Sequence, residues 1–164
     1  MTITAPKLHI TIDDPRWQSH RLGLEKLCTH AITHAWSLIG KKKSPPIFVS
    51  ITFTNDKIIK KINAHTRGKN KPTNILSFQN FESVSDLPPL KTPVPVGDLI
   101  LAYETIFAEA ESDNKKVKHH LTHLLIHGFL HLFGYDHMNE KDAKIMESLE
   151  IKLLKGLGIS NPYL

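Results

Sequence analysis

The sequence predicts an α+β fold: a small mixed β-sheet packed by several helices, with a central buried helix that carries a cluster of histidines. Three observations predict it. Residues 47–54 alternate at the period of a strand, and two long segments repeat apolar side chains at the period of a helix. Strands and helices then follow one another in an order that suits helices packed on a small sheet. At 164 residues and 40% hydrophobic content the chain suits one compact domain, 1–164, with a proper core.

Lys7 to Ile12 reads as a first strand, and Asp14 before Pro15 is a cap followed by a first-turn proline, so a long amphipathic helix should run to about Ile39. Leu24, Leu27, Cys28, Ala31 and Ala35 form its apolar stripe, which makes Cys28 a packed core thiol. After Pro45-Pro46, Ile47, Val49, Ile51 and Phe53 alternate with Phe48, Ser50, Thr52 and Thr54 as a strand. Asn55 caps a short helix with Ile58, Ile59 and Ile62, and the loop from Thr66 to Thr73 leads to a strand over Asn74 to Phe78.

Pro88, Pro89, Pro93 and Pro95 cannot serve a central strand or helix, so residues 82–95 are expected to be a loop. Gly97 to Tyr103 reads as a buried strand, Glu104 to Glu111 as a short helix and Lys115 to Phe133 as the histidine helix. Asn139 caps the last helix, with Ile145, Met146, Leu149 and Leu153 on its core side and Gly156 and Gly158 near its end.

The most informative stretch is His127-Gly-Phe-Leu-His131-Leu-Phe-Gly134-Tyr-Asp-His137. Residues four apart lie on one helix face, so His127 and His131 can share a centre. Gly134 can take positive φ and end the helix, so that His137 arrives from outside. Three imidazoles with one open position are a pattern of catalytic zinc, whereas structural sites usually have four ligands rich in cysteine. Zinc peptidases with this spacing carry Glu directly after the first His, as base. Here that residue is Gly128, so the likeness to metzincin proteases covers the metal geometry and not the base.

The neighbouring histidines cannot all be ligands. His123 and His131 lie about 12 Å apart along a helix at about 1.5 Å per residue, and zinc needs each nitrogen within about 2.1 Å. His123 is therefore expected as a wall or supporting residue, and His119 and His120 as exposed positions near the helix start. Apolar residues flank the histidine stripe on both sides, so the helix should be buried nearly all round.

Residues 41–71 hold Lys41, Lys42, Lys43, Lys57, Lys60, Lys61, Arg67, Lys69 and Lys71 against Asp56 alone, an excess of eight positive charges. The total is +5, so the rest of the chain is net negative by three. Such asymmetry suits a surface facing a polyanion such as nucleic acid. No apolar run approaches the length of a membrane span and no signal peptide is visible. Cys28 is the only cysteine, which excludes an internal disulfide and fits a reducing, cytoplasmic location.

These pieces together resemble one family. Asn63-Ala-His-Thr-Arg67-Gly, Pro72-Thr-Asn-Ile-Leu-Ser-Phe78, Gly97-Asp-Leu-Ile100, the His127 to His137 run, and Met146-Glu-Ser-Leu-Glu150 through to Asn161-Pro-Tyr163 are similar to the motifs of the YbeY family of bacterial metal-dependent endoribonucleases and ribosomal RNA maturation factors. The resemblance spans nearly the whole chain. It implies an α+β fold, one Zn2+ ion held by His127, His131 and His137, and cleavage of single-stranded RNA. It also implies a role with rRNA and the small ribosomal subunit, in 16S 3′-end formation and ribosome quality control. Arg67 matches the family's functional arginine, and a guanidinium can grip two phosphate oxygens. One departure is Asn74, where the family usually has Asp; an amide keeps the shape and loses the charge.

The resulting working scheme has zinc activating water or polarising a phosphate oxygen. Arg67 orients the scissile phosphate while Lys61, Lys69, Lys71 and their neighbours hold flanking RNA. Asp136 is assigned either to orient a ligand histidine or to accept a proton. Two rivals stand beside it: a zinc-dependent peptidase of metzincin-like geometry, and a ribosome-binding assembly factor whose zinc is structural.

Overall fold

In the computed structural model, which describes residues 2–164, four strands form one mixed sheet in the order β1-β2-β4-β3. The strands β1 (Lys7–Ile12), β2 (Ile47–Thr54) and β4 (Val94–Ala102) run parallel, and β3 (Ile75–Gln79) closes one edge antiparallel to β4. Five helices accompany them: α1 (Leu24–Ile39), α2 (Asp56–Arg67), α3 (Tyr103–Ser112), α4 (Val117–His131) and α5 (Glu140–Gly156). This is the α+β arrangement that the sequence predicts.

Alternation decides which face is which. Ile47, Val49, Ile51 and Phe53 of β2 are fully buried, and with Leu99 and Leu101 of β4 they meet α1 and α4 in the main core. The other face is covered at the β4–β3 end by α2, where Ile59 packs on Leu76 and Ala102. Helix α4 is buried on nearly every side, since Leu121, Leu124, Leu125, Ile126, Gly128, Phe129 and Leu130 are all inaccessible or nearly so. Cys28 lies in the core, where burial pushes its thiol up to about 12.

Two elements differ from expectation. The long helix starting at Asp14 is instead a short 3-10 turn, Pro15–Gln18, separated from α1 by a break in which Arg21 has φ +48° and Gly23, the residue before α1, has φ +63°. Tertiary contacts impose the break. Trp17 is fully buried against Phe53, Tyr103 and Phe107 and donates its Nε1–H to the Thr54 carbonyl at 2.8 Å, while Asp14 is bound to Arg16.

The second difference is that β4 begins at Val94, so Pro95 stands in a central strand. The sheet absorbs it with a bulge: Phe48 pairs with Pro95 and Val49 with Gly97, which leaves Val96 unmatched on the β2 side. The Val96 carbonyl instead accepts from the Asn80 backbone at 3.0 Å, and the Pro95 carbonyl from the Asn80 side chain at 3.0 Å. The remaining proline-rich stretch is loop with one short 3-10 turn, Val84–Asp86.

Candidate metal centre

Helix α4 ends at His131 and the chain then turns sharply, with Gly134 at φ +86° and its amide bonded to the His131 carbonyl at 3.2 Å. A side chain at position 134 would strike the Glu82 carbonyl of the proline-rich loop, so both conformation and space demand glycine. The turn brings His137 back to His127 and His131, with ring centroids 5.6 and 5.2 Å away. The Asp136 carboxylate accepts the His137 backbone N–H at 2.7 Å, which fixes the start of the segment beyond the turn.

Ligand atoms of the three imidazoles lie within 4.8 Å of one another, and the His127 and His131 Nε2 atoms are 3.0 Å apart. A tetrahedral centre with bonds of about 2.0–2.1 Å has edges of about 3.3–3.4 Å, so small adjustments would seat a divalent ion. Protonation agrees with this. Burial, and then the neighbouring His127 and His137, push His131 down to about 4, so it is neutral near pH 7. His127 turns its Nδ1 to Glu150 Oε1 at 2.7 Å. Burial alone would raise the Glu150 carboxyl, but the hydrogen bonds from His123 and His127 outweigh it and hold the group at about 2. An ionised carboxylate only accepts, so His127 donates from Nδ1, and in the neutral ring Nε2 is the nitrogen left to face the centre.

Glu150 is the residue that sequence reasoning passed over. It is 0% exposed, and it receives His123 Nε2 at 2.7 Å and the Tyr163 hydroxyl as well as His127. A signal was present: Met146, Glu150 and Leu153 follow one another at helix spacing, so a carboxylate sits in the apolar stripe of α5. His123, expected as a wall or supporting residue, is hydrogen-bonded to Glu150. The atoms of His123, His127 and Glu150 also cluster closely enough to be considered as ligands, but separations of 2.7 Å are hydrogen-bond lengths and shorter than a tetrahedral edge.

The three histidines open onto a cleft of about 510 Å³ that is also lined by Arg67, Lys69, Asn74 and Asp136. The residues Ile59, Asn63 and Arg67 recur every four positions on α2, so the face that buries the first two directs the third across β3. There Arg67 donates to the Ser77 carbonyl at 3.3 Å and stays exposed. Buried Asn63 braces the following loop by donating to the Lys71 carbonyl at 2.9 Å. Lys69 on this loop lines the cleft; Lys71 and Lys61 are exposed and do not.

Asn74 has a role beyond shape. Its amide donates to both oxygens of Glu109 at 3.1 Å, and its own oxygen accepts the Ile75 N–H at 2.7 Å. Glu109 in turn meets His120 Nε2 at 2.7 Å. Burial would raise the Glu109 carboxyl, but these hydrogen bonds lower it below the usual carboxylate range. His120 is thus 7% exposed and not the surface residue expected, because Glu109 on α3 supplies a partner that α4 by itself cannot reveal. His119 is half-buried.

A family model described as Endoribonuclease YbeY matches residues 11–158. The chain belongs to the YbeY family. Among its YbeY relatives, the Endoribonuclease YbeY of Allorhizobium ampelinum is 43% identical over 161 residues, covering 95% of this chain and 93% of that one. The Endoribonuclease YbeY of Sinorhizobium fredii is 44% identical over 168 residues, covering 98% and 94%. The solution structure of TM1509 from Thermotoga maritima aligns over 92% of each chain at 19% identity, with a TM-score of 0.47.

In this YbeY chain the absence of a peptidase-type Glu has a structural cause. A Cβ at position 128 would lie 2.6 Å from Ile75 Cδ1 and 3.0 Å from Leu99 Cδ2 and Ser77 Oγ. Helix and sheet are in contact there, so any side chain at this position has to displace the ends of Ile75, Leu99 and Ser77. No helix among the described residues is long and apolar enough to cross a membrane.

Proposed function

We propose that residues 1–164 act as one cytoplasmic, zinc-dependent endoribonuclease domain that cleaves single-stranded RNA, with rRNA in the small ribosomal subunit as substrate, in 16S 3′-end maturation and ribosome quality control. The observation that carries the chemistry is one cleft holding three convergent imidazoles together with Arg67 and Lys69. Family membership carries the choice of RNA.

His127, His131 and His137 would hold the zinc ion. When bound, zinc supplies Lewis acidity towards water or a phosphate oxygen. Arg67, tethered to the Ser77 carbonyl by one N–H, keeps its other donors for two phosphate oxygens and for the charge that builds up at phosphorus. Lys69 adds attraction for the backbone inside the cleft, with Lys61 and Lys71 along its approach. Asp136 spends Oδ1 on the His137 N–H. It thereby orients a ligand, and Oδ2 is left as a proton acceptor on the cleft wall.

The test uses highly purified protein and single-stranded RNA. Cleavage should disappear on chelation and return with zinc. His131→Ala should lose the metal, and Arg67→Glu should keep it and lose cleavage. Normal cleavage by both variants sinks the proposal, and zinc-dependent folding without any cleavage favours the assembly-factor reading instead.

A further inference from the structure

We infer that Tyr163, Glu150 and His127 form a relay in which Glu150 is the positioning residue for a metal ligand and Tyr163, from the segment after α5, holds Glu150 in place. The inference rests on the proposed metal centre and concerns residues behind it. Glu150 is fully buried, is absent from the cleft wall, and meets three donors on two oxygens. Oε1 takes the His127 Nδ1–H at 2.7 Å, while Oε2 takes the His123 Nε2–H at 2.7 Å and the Tyr163 hydroxyl.

Each bond has a consequence for the centre. The first dictates the His127 tautomer and the pitch of its ring, so Nε2 faces His131 and His137 as a bare lone pair. The second ties the carboxylate to His123 one turn earlier on α4, so two contacts set its orientation against one helix. The third comes from a different part of the chain. Tyr163 lies edge-on to His123 with ring centroids 5.6 Å apart and is 46% exposed, so it reaches the buried carboxylate from the surface. With all donors in place the carboxylate has no reason to rotate, and His127 cannot exchange its tautomer without leaving a buried charge short of a partner. Glu150 therefore neither binds the ion nor serves as a base; both roles need an oxygen on the cleft side.

The experiment uses the full chain and compares wild type with Glu150→Gln and Tyr163→Phe. Zinc affinity is measured by competition with a chromophoric chelator, and the His127 tautomer by 15N shifts of the imidazole in zinc-free protein. Glu150→Gln should weaken zinc binding about 10- to 100-fold, the range for partners behind metal ligands, and shift His127 away from the Nδ1–H form. Tyr163→Phe keeps the ring on His123 and removes only the hydroxyl, so it folds even if the buried amide variant does not. It should weaken zinc binding about fivefold, the effect of one hydrogen bond, and lower the melting temperature of the zinc-free state by only a few degrees. Normal zinc affinity and an unchanged His127 tautomer in Tyr163→Phe overturn the relay and leave the centre standing. Failure of the wild type to take up zinc overturns the proposed centre and the positioning role together.

Discussion

Replacing Asn74 by Asp should destabilise this chain, because Asn74 donates to Glu109. In Asn74→Asp an oxygen replaces the Nδ2 that now lies 3.1 Å from both Glu109 oxygens. Carboxylate charges about 4 Å apart repel by about 4 kcal/mol at an effective dielectric constant of about 20. The Glu109 side chain is 35% exposed, so water screening reduces this to about 2 kcal/mol. Loss of the amide's hydrogen bond to a charged group adds about 1.5–3 kcal/mol.

Proton uptake limits the total. Protonating one carboxyl of ordinary pKa costs about 3.5 kcal/mol at pH 7 and about 1 kcal/mol at pH 5. The expected deficit is therefore about 3 kcal/mol at pH 7, shrinking to about 1 kcal/mol at pH 5. The direction follows because a carboxyl pair held close has a folded pKa raised above its unfolded value, so the penalty grows as pH rises. Urea unfolding of both proteins at the two pH values measures it, and Asn74→Asp with Glu109→Gln should recover most of the loss. A deficit that is absent, or equal at the two pH values, refutes the electrostatic argument.

Gly128→Ala should cost about 1 kcal/mol net, since overpacking of about 1–3 kcal/mol is offset by about 1 kcal/mol of helix propensity; thermal unfolding checks it, and a stabilised protein contradicts the tight α4–β3 contact. Gly128→Glu should fail to fold. Glu150, at about 2 in the folded chain against the ordinary value of about 4.3, contributes about 3 kcal/mol that is present above the ordinary value and lost as pH falls towards 2. Acid titration of stability should accordingly be shallower in Glu150→Gln, and identical slopes would remove Glu150 as its cause.

Much of the fold is legible in local pattern. Strand β2 follows from strict alternation, and α2 and α5 begin where Asn55 and Asn139 cap them with bonds to Ile58 and Asp142. The pattern misleads where a distant contact outweighs it. Asp14-Pro15 is a good helix start, yet burial of Trp17 against Phe53, Tyr103 and Phe107 stops the first turn short. Pro95 is a poor residue for a central strand, yet a bulge accommodates it.

The same division holds at the centre. The local sequence encodes the convergence of His127, His131 and His137, because helix period and a glycine turn are properties of neighbours along the chain. It also determined that Gly128 cannot act as a base. Which atoms surround the histidines depends instead on packing between distant segments. Glu150 and Tyr163 lie 23 and 36 residues beyond His127, and Glu109 lies 11 before His120. Nothing local to any of these residues encodes the pairing; it exists because α3, α4, α5 and the final segment pack around one buried helix, where an unpartnered polar group is too costly to leave.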